Sequence, residues 1–282
     1  MKAVLWGTRG SLGSASADTV VYGGDTSSIE LLSSRGTPLV LDAGSGVRRL
    51  GTAMPRGLKR TDLLLTHLHM DHIQGLGFFG PIYDPNVECH VWGPASTTGS
   101  LRTRLSRYLS PPLFPICVRD LPNVYFHDVM PGTFEIEDYT VTADFICHPD
   151  PTLGYRVEAD GASIAYMPDH EPALGCELPF QPTPDWTSGY SLARGVDVLV
   201  HDAQYTEAEY AAHIGWGHSS MRQTTAFASM CEVGRLVSFH HDPSHSDKQL
   251  DEIAAKISTD EHLKFQFFPG KEGEEFHIGK CC

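Results

Sequence analysis

Short apolar runs, each ended by glycine or polar residues, recur along the chain and predict strands that alternate with helices. In the first half, strands are expected at 4–6, 28–32, 39–41, 62–66 and 87–92. Helices are expected after Gly46, from 71 to about 79, and where Leu101, Leu105 and Tyr108 recur at helical spacing. In the second half, the strands lie near 139–147, 153–158, 162–167, 196–201 and 235–240, and the helices near 206–212, 219–231 and 246–257. This order favours two stacked sheets covered by helices on their outer faces.

The length and composition fit one large domain. With 282 residues and 41% hydrophobic content, the chain can form a full core without a second domain. We expect a single domain over 1–270, followed by a C-terminal tail over 271–282. The pattern at 1–6 reads as a strand and not as a signal sequence, and no apolar run is long enough to cross a membrane.

The cysteines are scattered along the chain and give no sign of a disulfide framework or a zinc ribbon. Five of them show no spacing typical of disulfide pairs or of a zinc ribbon, namely Cys89, Cys117, Cys147, Cys176 and Cys231. A reduced, cytoplasmic setting is therefore expected. The remaining pair, Cys281-Cys282, ends the tail, and we expect it to be frayed and without a metal or redox role.

The charge of the chain argues against a long nucleic acid as its partner. The formal net charge is −14, and lysine and arginine form no block, so a broad basic footprint is absent. Arg48-Arg49 and the group Arg102, Arg104 and Arg107 fall at helical spacings. Both read most simply as solvated helix faces, with phosphate contact as the alternative.

The residues after the predicted strand 62–66 form a candidate metal-binding loop. The string His67-Leu68-His69-Met70-Asp71-His72 places three imidazoles and a carboxylate at the end of an apolar run. Imidazole and carboxylate are ligands that zinc, iron and manganese accept. His67 and His69 could share one ion, while Asp71 and His72 could hold a second. A solvated histidine-rich turn would not account for this spacing at a strand end.

Further candidate ligands stand where later strand patterns end. These are His148, Asp169 and one of the adjacent pair His240-His241. The spacing of the first loop and the order of these later residues resemble the metallo-β-lactamase superfamily. The resemblance implies an α/β fold, a four-layer αββα sandwich with the metals at the sheet edge.

The resemblance also implies the role of each ligand. His67, His69 and His148 would hold the first ion, and Asp71, His72 and a late histidine the second, with Asp169 as the bridge. Taken alone, Asp169 would more simply be a turn-forming residue after Pro168. The tRNA-maturing branch of the family favours His240 over His241 as the late ligand. The implied cofactors are two divalent ions, zinc first, with manganese or iron as alternatives.

Two later motifs resemble the RNase Z and related phosphodiesterase branch. They are His201-Asp202-Ala203 and Gly217-His218-Ser219-Ser220, the last residue being Ser220 where the family has threonine. In that branch the second motif brings a histidine to the scissile phosphate, held by the acid of the first. His218, His201 and Asp202 are therefore catalytic candidates, with a helix-capping role for His218 as the alternative.

Two aspartates have further candidate roles. Asp71 would orient the nucleophile in addition to binding metal. Asp42, in Asp42-Ala43-Gly44-Ser45-Gly46, could fix the tautomer of a ligand histidine through a hydrogen bond. The glycines around it lack the spacing of a dinucleotide-binding or P-loop motif.

The spacing of two ligands limits the size of the substrate. His148 and Asp169 are only 21 residues apart, which leaves no room for the long arm that grips tRNA in tRNA-maturing members. We therefore expect a dinuclear metal-dependent phosphodiesterase that acts on a small cyclic or linear nucleotide or another short phosphodiester. A homodimer is left open.

Three other functions remain as alternatives. The first is a metal-dependent hydrolase of a lactone, thioester or lactam. The second is a non-catalytic metal-binding or sensing domain, which the complete ligand set disfavours. A flavin-linked oxidoreductase of the same fold is least favoured, because such proteins usually carry an acid where His69 stands.

Overall fold

The structure is a computed structural model that describes residues 1–174, 184–259 and 263–279. Cys176, Cys281 and Cys282, whose spacing and position the sequence analysis used, lie outside the described residues. Within these ranges the backbone forms two seven-stranded sheets that pack face to face. The helices within these ranges are α1 Val47–Ala53, α2 Met70–Ile73, α3 Leu101–Leu105, α4 Tyr190–Ala193, α5 Glu207–Tyr210, α6 Met221–Met230 and α7 Asp247–Ser258.

The first sheet comes from the first half of the chain, with one strand added from its end. Its strands are β1 Lys2–Gly7, β2 Ser28–Leu32, β3 Pro38–Leu41, β4 Arg60–Leu64, β5 Glu88–Pro94, β6 Val124–Val129 and β14 Glu275–His277. Their order is β14-β1-β2-β3-β4-β5-β6. The strands from β3 to β6 pair in parallel, so their carboxyl ends lie at one edge.

The second sheet comes entirely from residues 132–269. Its strands are β7 Gly132–Ile136, β8 Tyr139–Phe145, β9 Leu153–Ala159, β10 Ala162–Met167, β11 Val198–Asp202, β12 Arg235–Phe239 and β13 Gln266–Pro269. Their order is β13-β12-β11-β10-β9-β8-β7. The strands from β10 to β13 run in parallel, and β8 has the same direction because two antiparallel pairings connect it to β10.

Three apolar clusters hold the layers together. Between the sheets, alternate residues such as Leu31, Val157 and Phe239 are fully buried. On the outer face of the first sheet, α1 and α3 contribute Leu50 and Leu105 to a second cluster. On the outer face of the second sheet, α4 and α6 bury a third cluster, and all three clusters follow the period-two alternation of strands covered on both faces. The predicted αββα sandwich is confirmed.

The observed elements differ from the predicted ones in a few places. The helix expected from 71 to about 79 ends at Ile73, and a 3-10 turn follows at Leu76–Phe78, because glycines at 75 and 77 weaken a continuous helix. Strands β6 and β7 were not predicted, since their residues are mostly polar or exposed. Residues 275–277, expected within a tail, pair with β1 as strand β14.

No helix within the described ranges is long and apolar enough to span a bilayer. The longest of these helices is α7, at 12 residues, and it carries charged residues along its length. A spanning helix needs roughly 20 apolar residues.

The buried hydroxyl of Tyr139 offers a test of the packing between the sheets. It accepts a hydrogen bond from Ser33 N at 2.8 Å and donates to Thr37 O at 2.6 Å. Tyr139→Phe should lower the free energy of unfolding by about 1–3 kcal/mol, because a buried backbone N–H loses its acceptor. Denaturant unfolding measures the change. Tyr125→Phe, at a half-exposed ring, is the control, and an equal effect of both variants would contradict the assignment.

Candidate metal centre

Seven side chains converge where strands of both sheets end. They fall into two groups whose ligand atoms lie within 4.8 Å of one another. The first group is His67, His69, His148 and Asp169, and the second is Asp71, His72, Asp169 and His240. The sequence predicted the same division, and the structure brings all seven residues together.

Asp169 faces both groups, one carboxylate oxygen to each. Its Oδ2 lies 3.7 Å from His67 Nε2 and 3.6 Å from His148 Nε2. Its Oδ1 lies 2.9 Å from His72 Nε2 and 3.2 Å from His240 Nε2. Asp169 directly follows β10 and is almost fully buried. This is the placement of a carboxylate that can be shared by two cations, and it does not suit a simple turn residue.

Hydrogen bonds at Nδ1 orient the ligand imidazoles. His72 Nδ1 lies 2.8 Å from Asp42 Oδ2, and His148 Nδ1 lies 2.9 Å from Gly217 O. Carboxylate and carbonyl oxygens only accept, so both histidines carry their proton on Nδ1. His240 Nδ1 likewise meets Gln204 Oε1 at 3.0 Å. Each Nε2 is thereby left with a free lone pair that points into the centre.

Asp42 lies beside the centre and hydrogen-bonds a candidate ligand histidine, as its position in the sequence predicted. Besides His72, its carboxylate accepts from Thr66 N at 2.7 Å and from Tyr166 OH at 3.0 Å. Its backbone has a φ of +58°, a region that non-glycine residues rarely adopt. The Thr66 hydroxyl, which also bonds to Asp42, lies 3.0 Å from His67 Nδ1. One aspartate therefore fixes a histidine from each ligand group.

The buried polar atoms of the centre fit bound cations. His67 Nε2, His72 Nε2 and Asp169 Oδ1 are buried and have no hydrogen-bond partner of acceptable geometry. Buried polar atoms without a partner are destabilising unless a bound ion or water molecule interacts with them. Burial lowers the pKa of His67 well below its ordinary value and that of His148 to about 4, so both imidazoles are neutral, as metal ligands must be.

The charge around His72 leads to the same conclusion. Burial disfavours its charged form, but the carboxylates of Asp169, Asp71 and Asp42 raise its pKa well above the ordinary value. This shift reflects an excess of negative charge in a buried space. A divalent cation bound at Nε2 would replace the proton and neutralise that charge.

The two adjacent histidines after β12 have different surroundings. His240 Nε2 lies 3.1 Å from Asp71 Oδ2, inside the second group. Its φ is +58°, and a Cβ on Gly10 would lie 2.3 Å from its ring, so the ring needs a glycine beside it. His241 points away, with Nε2 donating to Gly270 O at 2.9 Å and a pKa lowered by burial to about 3.

His218 and Asp202 form a tight pair beside the centre. His218 Nδ1 lies 2.7 Å from Asp202 Oδ2, and its ring stacks on His240 at 5.0 Å between centroids. Burial disfavours the charged imidazole, but Asp202 raises its pKa to about 9. Asp202 is itself fixed, because it also accepts from Ser219 N at 3.1 Å. The pair presents an oriented imidazole next to the second ligand group.

His201 does not reach the centre. It is fully buried, with Nε2 2.9 Å from His170 Nδ1 and Nδ1 donating to Asp202 O at 2.8 Å. Burial lowers its pKa to about 4. The predicted catalytic role of His201 does not agree with this position. Its ring packs against Phe227 in the outer core, so its role is to support the strand that carries Asp202.

Glu171 is a supporting residue that the sequence analysis missed. Its carboxylate is fully buried and accepts from Gly215 N at 3.0 Å, Gly217 N at 2.9 Å and Tyr210 OH at 2.7 Å. It therefore fixes the loop whose Gly217 carbonyl orients His148 and whose next residue is His218. The only signal in the sequence is the pair of glycines before His218, which does not indicate an acidic partner.

Gly217 is required at its position for two reasons. Its φ is +83°, and an added Cβ would lie 2.3 Å from His148 Nδ1. Glycine adopts this backbone conformation without steric cost and leaves room for the imidazole. The loop can therefore approach a metal ligand closely enough to bond it through a backbone carbonyl.

Comparisons with known proteins show which family this chain belongs to. Residues 37–241 match the family model described as Beta-lactamase superfamily domain. A Ribonuclease Z of Exiguobacterium sp. is 26% identical over 261 residues, covering 78% of this chain and 84% of that protein.

Two solved structures show the same fold. The metallo-β-lactamase fold protein YhfI from Bacillus subtilis superposes with a TM-score of 0.71 at 15% identity, covering 99% of this chain and 98% of that one. Zn²⁺-bound PqqB from Methylobacterium extorquens superposes with a TM-score of 0.70 at 20% identity, covering 98% and 100%. The fold therefore extends over nearly the whole chain.

The adjacent histidines provide a matched pair of variants. His240→Ala should lower the metal content of the purified protein, because it removes a ligand of the second group. His241→Ala should leave the metal content close to that of the unaltered protein. Elemental analysis of folded protein measures both. Metal loss in His241→Ala alone would contradict the geometry.

Substitution of Glu171 tests the loop that orients His148. Glu171→Gln should weaken metal affinity by roughly 10–100-fold, the range found when partners of metal ligands are altered. Competition with a chelator measures the affinity. Glu207→Gln, at an exposed position on α5, is the control. Equal affinities for both variants would show that Glu171 has no effect on the centre.

Proposed function

Because the chain belongs to the β-lactamase superfamily, we propose that this metal-dependent hydrolase is a phosphodiesterase for small substrates, such as a cyclic or short linear nucleotide. The observation that carries the proposal is the His218–Asp202 pair beside the second ligand group. A phosphodiester needs charge neutralisation or a proton at its departing oxygen, and an imidazolium supplies both. The 26% identity to a Ribonuclease Z supports the same class of reaction.

The ligand groups favour two divalent ions, with zinc as the first choice. Neutral imidazole nitrogens and carboxylate oxygens suit zinc, and manganese and iron accept the same donors. When bound, the ions would activate a water molecule and polarise the phosphoryl group. Asp71, which accepts from Ser11 N at 2.7 Å, would orient that water as well as bind metal.

The charge of the site suits a phosphodiester. Four positive charges from two dications would be reduced by Asp71 and Asp169, which leaves a net positive site for a monoanionic diester. His218 adds a further positive charge when protonated, although the two dications would lower its pKa. A neutral lactam or thioester would gain less from this arrangement.

Three features support a small substrate. The short segment between His148 and Asp169 consists mainly of strands β9 and β10, which pair through a tight turn at 160–161, so no tRNA-gripping arm is present there. The net charge of −14 disfavours a long polyanion. A cavity of about 670 Å³ also opens beside His67 and His69, and this volume suits a molecule the size of a nucleotide.

A substrate panel tests the class of reaction. Metal-loaded protein would be assayed on bis-p-nitrophenyl phosphate, cyclic nucleotides and dinucleotides, and in parallel on p-nitrophenyl acetate, a lactone and a thioester. We expect the highest kcat/KM values among the phosphodiesters. Hydrolysis of the lactone or thioester without phosphodiester turnover would overturn the proposal. Faster processing of a precursor tRNA than of every small diester would overturn the small-substrate part.

His218 can be tested through the leaving group. His218→Ala should lower kcat by roughly a hundredfold or more on a cyclic nucleotide, whose departing alkoxide needs a proton. The loss should be much smaller on bis-p-nitrophenyl phosphate, because p-nitrophenolate departs without help. Asp202→Asn should show a smaller loss of the same kind, since it holds the imidazole.

Two controls accompany the kinetics of His218→Ala. Metal content should be unchanged, and His213→Ala should have little effect, because His213 contacts Tyr205 and Trp216 outside the ligand groups. An equal loss on both substrates would remove His218 from the proton-donor role. A loss of metal would make His218 a ligand or a structural residue.

A further inference from the structure

The cavity beside the metal centre extends well beyond the ligand residues. His67 and His69 form its inner wall, and the end of α3 and the loop after β5 form the outer wall. At about 670 Å³ it is larger than a single phosphodiester group requires. A substrate that fills it must therefore make contacts some distance from the scissile bond.

Two arginines line this cavity, and only one of them is engaged by the protein. The Arg104 guanidinium donates to Gly99 O at 3.1 Å and to Pro94 O, and it lies 3.5 Å from Asp128. Arg107 is exposed, and its side chain makes no hydrogen bond or ion pair with any residue in the described ranges. Asp150 also lines the cavity, but at a distance that forms no ion pair with Arg107.

An unpaired arginine at this position is informative because of its chemistry and its surroundings. A guanidinium keeps its charge at every physiological pH and presents several N–H donors in one plane, which suits phosphate. The chain as a whole is strongly acidic, with 35 acidic and 21 basic residues. The sequence alone suggested a solvated helix face for Arg102, Arg104 and Arg107, but Arg107 instead adds a fixed positive charge to the cavity.

The rest of the cavity supplies hydroxyls and an apolar surface. Ser96, Thr97 and Thr98 lie in the loop after β5, with the Ser96 and Thr98 hydroxyls 3.0 Å apart. Met70 and Leu113, which also line the cavity, are 53% and 71% exposed. Hydroxyl donors that line the same cavity as a cation suit an anion, and exposed apolar side chains suit a base or another flat apolar group.

We propose that this cavity is a subsite for a second phosphate group on the substrate, bound by Arg107 with the hydroxyls of Ser96, Thr97 and Thr98. The subsite rests on the proposed function, since the scissile diester would lie at the metal centre. The favoured substrate is then a phosphodiester that carries a terminal phosphate and a base. The nearby apolar side chains would contact the base.

Two chromogenic compounds test the subsite. They are the p-nitrophenyl ester of thymidine 5′-phosphate and the same ester with an added 3′-phosphate, which differ only in the second anion. The unaltered protein should show a kcat/KM about tenfold or more higher for the second compound, mainly through KM, as expected for a charge-assisted hydrogen bond. Arg107→Ala should abolish this preference, and Arg107→Lys should keep part of it.

The control variant is Arg102→Ala, in helix α3 shortly before Arg107 and outside the lining of the cavity. It should leave the preference unchanged. Turnover of both esters at equal kcat/KM, or a preference that survives in Arg107→Ala, would overturn the subsite and leave the phosphodiesterase proposal intact.

A binding measurement separates the subsite from the reaction. If neither ester is hydrolysed, the proposed function fails for these substrates, and calorimetry decides the subsite with thymidine 3′,5′-bisphosphate and thymidine 5′-phosphate as ligands. Tighter binding of the bisphosphate that is lost in Arg107→Ala would support the subsite. Equal affinity for both ligands would overturn it.

Discussion

The site depends on one constraint, which is that three of its candidate ligand imidazoles have their Nδ1 proton held by an oxygen outside the centre. Asp42, Gly217 O and Gln204 provide these oxygens for His72, His148 and His240. A histidine without such a partner could rotate or adopt the other tautomer, and its Nε2 would no longer be a dependable ligand. Much of the unusual local structure serves this requirement.

The backbone near the centre is shaped to meet the same constraint. Asp42 and His240 both have φ values near +58°, which is costly for residues with a Cβ. Gly10 and Gly217 allow the chain to approach two ligand rings closely. The rigid sandwich stabilises the two positive-φ conformations, because Asp42 directly follows β3 and His240 directly follows β12.

The sequence predicted the parts of the fold and site that depend on local patterns. Apolar runs indicated the buried strands, and the strings around His67, His148, Asp169 and His240 marked their ends. Strands β6 and β7 are only partly buried and lack a long apolar run, and β14 is a three-residue strand that is recognised by its pairing with β1. Glu171 could not be predicted, because its bonds to Gly215 and Gly217 join segments that are distant along the chain. The position of His201 was missed for a related reason, since a motif gives proximity in sequence and not the direction of a side chain.

The resemblance to the metallo-β-lactamase superfamily, first indicated by the same strings, is confirmed by the family match, and the similarity to a Ribonuclease Z agrees with the branch that the later motifs resemble. This resemblance predicted the roles of more site residues than the residue patterns alone could. The pairing of His218 with Asp202, for example, joins two motifs whose contact depends on the fold. The free side chain of Arg107 could not be predicted from the sequence. Arg104 and Arg107 differ only in the three-dimensional structure, where the guanidinium of Arg104 is bound by neighbouring residues and that of Arg107 by none of the described ones.

The candidate metal ligands come from both sheets, His67 after β4 in one and His148, Asp169 and His240 after β8, β10 and β12 in the other. Bound ions would thus act as a cross-link that joins the two halves of the chain. Binding to the folded state alone adds to folding stability, by about 4 kcal/mol when the free ion exceeds its dissociation constant a thousandfold. The supply of metal in the cell would then influence how long each copy of the protein escapes unfolding and degradation, as well as how fast it works.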